Sequence, residues 1–379
     1  MPVFLRILLA ALAIVLGFIG ASLQKSGFGE FVVENVVEKT VPRPSGGLPI
    51  FKPRFLNIDQ SNNLPMVHVA SPVLYPGGIA TVWYGGSREC APDVKIYFSK
   101  DLDAEPVVIM SRERAEKDLG RPVQSVGNAV LIAEPNASLR LLFVTIGLGK
   151  WSGSQLNTSL STDGGHTWSR AERLTLSPFF NFSELVRNRP LQLTGGGWCV
   201  PIYQEFLGKF PELLWLSKDG SYRKSRIAGG CTSFQPSVVP LDNRRAIALM
   251  RDYTPTHRIH LTRTEDGGHS WTNPAPTSLL NPDAGISAVR LSDGRILLSY
   301  NDSATNRKNL SWAVSQDDGI TWTKIGSPNY YPTATFAYPY LMRQGDYLFQ
   351  AFTADGKLIE LDSFNEAFLD EKTKDVSKP

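Results

Sequence analysis

Four short stretches carry residues able to do chemistry. The first, Trp83-Tyr-Gly-Gly-Ser-Arg-Glu-Cys-Ala-Pro-Asp-Val94, is a glycine-rich turn holding Arg88, Glu89 and Asp93. A carboxyl group beside a cation in such a loop can serve as a general acid and base, and a surface ion pair would look the same. The second, Ala248-Leu-Met-Arg251-Asp252, ends a strand in arginine, and in the third, Asn301 to Ser315, Arg307 precedes the strand that leads into a repeated turn motif. Two guanidinium groups from separate strands can grip one carboxylate through paired N–H donors, whereas each alone reads as a surface residue. The fourth, Ala334-Thr-Phe-Ala-Tyr338-Pro-Tyr340, brings two phenols to the start of an aromatic strand, where core packing is the default role.

What must position these residues is a repeat. Ser161-Thr-Asp-Gly-Gly-His-Thr-Trp168 recurs as Thr264-Glu-Asp-Gly-Gly-His-Ser-Trp271 and as Ser315-Gln-Asp-Asp-Gly-Ile-Thr-Trp322. In each copy the Asp can accept from backbone N–H groups a few residues on, Gly can take positive φ, and Trp covers the turn. A weaker copy contains Asp219, and a vestigial one, Ser99-Lys-Asp101, lies upstream. Asp101, Asp163, Asp219, Asp266 and Asp317 are then spaced by 62, 56, 47 and 51 residues. A period of roughly 50 residues is what four short strands per unit require, which is a propeller blade. Runs rich in β-branched and aromatic residues between these turns predict strands. They fall in sets beginning near Met66, Val130, Pro190, Gln235, Ala284 and Thr335. The reading is all-β: a six-bladed β-propeller over 51–379, preceded by one N-terminal hydrophobic helix. The last set needs an N-terminal strand to complete it. Helical patterns are confined to Ser111–Leu119 and Ser363–Leu369.

Composition agrees. A hydrophobic content of 42% with 19 Phe, 12 Tyr and 8 Trp fits a folded, aromatic-rich chain rather than a disordered one. A net charge of +3, without a basic run interleaved with aromatics, gives no reason to expect nucleic acid. The three cysteines, Cys90, Cys199 and Cys231, allow at most one disulfide and show no metal spacing. No cofactor or metal is expected. Residues 1–23 hold an apolar run, Ile7 to Leu23, broken by no charge. Its 17 residues stand at the lower edge of a membrane span, so an uncleaved anchor is preferred to a signal segment. Residues 24–50, with Pro and Gly, read as a tether. On this reading the protein is exported, periplasmic or extracytoplasmic, and held at the inner membrane through its N-terminal segment.

The eight-residue repeats resemble the Asp boxes of sialidase-like proteins, and the four stretches come in the order that family uses. The likeness spans residues 60 to 355, and Asn188-Arg-Pro190 resembles a branch of exported bacterial members. It implies roles residue by residue. Arg251 and Arg307 match the second and third arginines that bind the substrate carboxylate. Tyr338 matches the nucleophile. Glu89 falls where the acid/base Asp belongs, with Asp93 as the alternative and Arg88 as a substrate contact. Asn128, in Gly-Asn-Ala-Val-Leu131, is similar to a Gly-Asn-Pro-Val-Leu strand of bacterial members. Two positions depart. His68-Val-Ala-Ser-Pro72 stands where Arg-Ile-Pro is expected, with Arg54 upstream as a substitute. Gln235 stands where the carboxylate that assists tyrosine belongs, with Glu205 as a replacement. A neutral tyrosine suits attack on a 2-keto acid glycoside, because it is not repelled by the sugar's own carboxylate. The resemblance therefore implies a retaining exo-glycosidase for a terminal sialic-acid-like or other acidic 2-keto sugar such as Kdo. A non-catalytic carbohydrate-binding propeller and an envelope interaction scaffold are the alternatives.

Overall fold

The computed structural model describes residues 5, 8–13, 30–31, 48–55, 64–76, 78–101, 103–177, 181–227, 230–327 and 333–376. Six antiparallel sheets follow one another along the chain and form the six blades expected. Blade one comprises Met66–Tyr75, Gly78–Gly86, Lys95–Ser99 and Val107–Ser111. Blade two comprises Ser125–Ala133, Leu139–Gly147, Lys150–Ser161 and Glu172–Arg173. Blade four runs from Ser233–Pro240 to Ala275–Leu280, and blade five from Ser287–Arg290 to Thr323–Gly326. Blade six holds Phe336–Gln344, Tyr347–Ala354 and Leu358–Asn365, and its outer strand is the N-terminal Phe51–Phe55. Phe51 pairs with Phe364 and Phe55 with Glu360, so the ring closes with the strand that the sequence required.

Blade three departs from the pattern. Its inner strand is split into Leu185–Val186 and Leu191–Gln192, both paired to Gly197–Gln204. Pro190 has no N–H for the ladder, and residues 187–190 leave it. The break holds Arg187.

The apolar core lies between blades. One cluster joins Val82 and Phe98 of blade one to Leu131, Leu141 and Trp168 of blade two. Serine hydroxyls stitch neighbouring inner strands together. Ser71 accepts from Leu131 N, Ser237 from Ala288 N and Ser287 from Leu341 N, at 3.3, 2.9 and 2.9 Å. The Asp boxes sit on the outer turns. Asp163 accepts from Ser161 Oγ, Thr167 N and Thr167 Oγ1, while Trp168 donates to Gly165 O. Gly165 lies at φ 91°, and a Cβ there would meet Phe98 of blade one at 2.2 Å. That box is therefore also a blade-to-blade contact.

Two helices decorate the ring. Arg112–Leu119 is capped by Ser111 and ends at Gly120 in the left-handed region. Glu366–Val376 starts later than the sequence pattern placed it, and its Glu366 carboxylate accepts from Ser292 N and Oγ, bracing blade five. Among the described residues no helix is long and apolar enough to cross a membrane. Most of the apolar run 7–23 lies outside the described residues. Within 24–50, Glu30 and Phe31 dock on the propeller, which the reading as a tether did not foresee. Phe31 is fully buried against Trp215, and its N–H donates to Asn243 O. The three cysteines are free thiols.

Candidate active site

The site is built by one backbone device. Inner strands carry a bulge whose residue has positive φ: Val69 (56°), Asn128 (27°), Gln235 (53°) and Tyr338 (56°). Such a conformation is strained for a branched or bulky side chain and marks places where function outranks local preference. The inner strands contact one another around the ring, so these bulges face a common centre.

Tyr338 is the hub. Its half-buried ring meets His68 edge-on, with centroids 5.4 Å apart, and the Arg187 guanidinium lies 5.4 Å from its centroid. Burial and the Glu89 charge push its phenol up, while Arg251, Arg307 and Arg187 pull it down. Glu89 accepts from Tyr84 Oη at 3.3 Å and stands 3.9 Å from His68 Nε2. Burial keeps His68 below its usual pKa, and its Nδ1 is buried with no partner in the structure. A neutral imidazole therefore occupies the position where the resemblance expected arginine.

The two expected arginines converge. Arg251 donates through Nε to Asp283 Oδ1 at 2.7 Å and through Nη2 to the Asp283 carbonyl. Arg307 donates through Nη2 to the same carbonyl at 2.9 Å. Gln235 completes a polar chain. Its Oε1 accepts from Arg251 Nη1 at 3.2 Å and its Nε2 donates to Tyr203 Oη at 3.0 Å. Asn128 donates to that same phenol at 3.0 Å. Tyr203 is buried, and its phenol is pushed far up by burial.

Other expected residues fall elsewhere. Asp93 is exposed and staples its own loop, accepting from Ser87 N and Oγ at 2.9 and 2.8 Å. Those bonds hold its carboxyl below the usual range, so it is a loop lock and not the acid/base group. Arg88 is exposed beside it, and its charge acts on Asp93 and Cys90. Arg54 lies on the outer strand of blade six, 3.6 Å from Asp103, and cannot substitute for the missing arginine. Glu205, by contrast, borders the site: it lies 3.9 Å from Lys209, burial raises its carboxyl, and the charges of Arg251, Asp283 and Glu89 act on it. Arg187, Tyr203 and Asp283 were not singled out from sequence. The available signal for Arg187 was two arginines and an asparagine set between apolar residues, Leu185-Val-Arg-Asn-Arg-Pro-Leu191.

Comparison with known proteins agrees with this fold. The BNR repeat-like domain model matches residues 77–350, well over half the chain, and the protein belongs to that family. A sialidase of Micromonospora viridifaciens is 26% identical over 237 residues, covering 56% of this chain and 35% of that protein. The chain thus spans about a third of the length of that curated relative. Among solved structures, the Hadza microbial sialidase Hz136 superposes with a TM-score of 0.65 at 18% identity, covering 80% of this chain and 66% of that one. A Dyadobacter fermentans protein of unknown function gives 0.64 at 14%, covering 84% and 100%. Trypanosoma rangeli sialidase gives 0.61 at 13%, covering 82% and 56%. At these identities the solved structures establish the sialidase-like propeller and nothing finer.

Proposed function

We propose that the protein is a retaining exo-glycosidase that releases a terminal sialic-acid-like or other acidic 2-keto sugar, Kdo included. The observation that carries this reading is the meeting of Arg251, Arg307 and Glu89 around Tyr338. The two arginines take the substrate carboxylate once Asp283 gives way. Tyr338 gives its phenolic proton to water and attacks the anomeric carbon, the glycosidic C–O bond breaks, and Glu89 gives its proton to the departing oxygen. Water then cleaves the tyrosyl–sugar bond, with Glu89 taking back a proton. We also infer export, from the apolar N-terminal run, which would set such an enzyme against envelope or host glycans.

The test is release of free sugar from fluorogenic sialyl and Kdo glycosides, together with trapping by a fluorinated sugar. Turnover with a covalent adduct on Tyr338 supports the reading. No turnover on either glycoside, with Tyr338→Phe indistinguishable from the parent, rejects it. His68 and Gln235 favour a second reading, a carbohydrate-binding propeller without catalysis, because a fixed cation and a proton acceptor are both replaced by neutral groups. Binding on a glycan array without hydrolysis would decide for that one.

A further inference from the structure

Arg187 is fully buried, and no carboxylate forms an ion pair with it among the described residues. Its Nη1 donates to Asn188 Oδ1 and Ile286 O at 2.7 and 2.6 Å, its Nη2 to Pro339 O at 2.6 Å, and its Nε has no partner. These acceptors are neutral. They satisfy hydrogen bonding and leave the charge uncompensated, which is expensive in a dry site. Burial pulls the guanidinium down to about 10, so it remains protonated at neutral pH. What it faces is the Tyr338 ring. Gly285 keeps that approach open: a Cβ there would lie 3.0 Å from Arg187 Cζ and 3.1 Å from Tyr338 Cδ1. The bond to Pro339 O also ties the guanidinium to the backbone of the Tyr338 strand, one residue beyond the tyrosine.

We propose that Arg187 is a positioning residue that holds the Tyr338 bulge and supplies the positive charge that a phenoxide there needs. It thereby takes over the electrostatic part of a task that the neutral Gln235 cannot perform. The inference rests on Tyr338 as the nucleophile. On activation the phenolic O–H bond breaks, the electron pair stays on oxygen and the proton passes to water at the half-buried face of the ring. Three cations act on that phenol by charge: Arg187 from blade three, which lies over the ring, Arg251 from blade four and Arg307 from blade five. Glu89 opposes them from the blade-one loop, and the neighbouring His68, Tyr84 and Tyr203 contribute no charge at neutral pH.

The experiment is a 13C NMR titration of ζ-labelled tyrosines in the full chain without substrate, with Tyr338 assigned from Tyr338→Phe. Tyr338 is expected to ionise before Tyr84 and Tyr203. Arg187→Met should raise its midpoint by about one pH unit, a tenfold change in its ionisation constant, and Arg187→Lys by less. With a turned-over glycoside, kcat at neutral pH should fall about tenfold in Arg187→Met and its pH profile should move up in step, while KM stays within about twofold. A folded Arg187→Met with an unmoved Tyr338 titration overturns the proposal. So does a parent in which Tyr338 ionises no earlier than Tyr203, a result that needs no variant to fold. Because the titration uses no substrate, a protein that hydrolyses nothing still tests the role of Arg187. Conversely, an active enzyme with an unmoved titration removes this inference and leaves the glycosidase standing.

Discussion

The propeller carries an outer ring of turns and an inner ring of strand bulges, and they obey opposite rules. On the outer ring Asp163, Asp266 and Asp317 make the same three bonds, and equivalent distances differ by no more than 0.1 Å. Residue type and backbone repeat together there. On the inner ring only the backbone repeats. The positive-φ bulge recurs in four blades, yet the residue on it is Val69, Asn128, Gln235 or Tyr338. Identical side chains on an identical turn serve one structural purpose. Different side chains on an identical strained bulge serve a site, because the strain is paid alike in each blade and only the chemistry differs. The outer ring defines the fold, and on the proposed function the inner ring carries the activity, so substitutions in the two should separate cleanly.

Tyr338→Phe is the sharpest cut. It removes one oxygen from the inner ring and leaves packing intact, so turnover should fall by roughly 10³-fold or more with no change in thermal midpoint. Steady-state kinetics and a melting curve on the same preparation check both halves. A large loss of stability would mean that the inner ring is structural too. Trp168→Ala makes the reverse cut. The indole is buried between blades one and two and donates to Gly165 O at 3.1 Å. Its removal should cost about 3 kcal/mol in denaturant unfolding. Substrate KM should hold, because Trp168 lies on the outer ring.

Gln235→Glu sharpens the contrast from within the inner ring. The amide accepts from Arg251 and donates to Tyr203, so a carboxylate would keep the first bond and receive the Tyr203 proton donor in the second. A general base contributes about 10²–10⁴-fold where proton removal limits the rate. With three guanidinium groups already acting on the Tyr338 phenol, we expect a rise in kcat nearer to tenfold. An unchanged or lower kcat would show that the neutral residue at 235 is not what limits this site.

The two rings also differ in how far they could be read from the sequence. Asp boxes are local. Their bonds join residues two to four apart, so eight letters contain the whole device; the spacing of its copies gave the blade period, and the sets of strands between them gave six blades. Arg251, Arg307, Glu89 and Tyr338 were legible through their order along a known kind of chain. Arg187 was not, because its partners Ile286 and Pro339 lie 99 and 152 residues away. Nothing near Arg187 in the sequence says that a ring closure will bring a phenol over it. Asp93 failed for the opposite reason. A carboxyl four residues from Glu89 is indistinguishable on paper, and only the bonds from Ser87 show that it locks the loop.

The smallest effect expected concerns charge on the outer ring. Asp163 accepts from a backbone N–H and two hydroxyls, and these bonds hold its carboxyl down from 3.8 to about 2. Protons therefore bind the unfolded chain more readily than the folded one between those values. The contribution of Asp163 to stability is complete above about pH 4 and fades as pH falls towards about 2. Asp163→Asn removes the titration and leaves one oxygen to accept. It should melt below the parent at neutral pH, and the gap should narrow steadily through that acid window. Paired melting curves from neutral pH downward measure it. A gap that keeps its size to the acid end would mean that the box depends on the shape of Asp163 and not on its charge, and the same substitution at Asp266 and Asp317 should then give the same flat result.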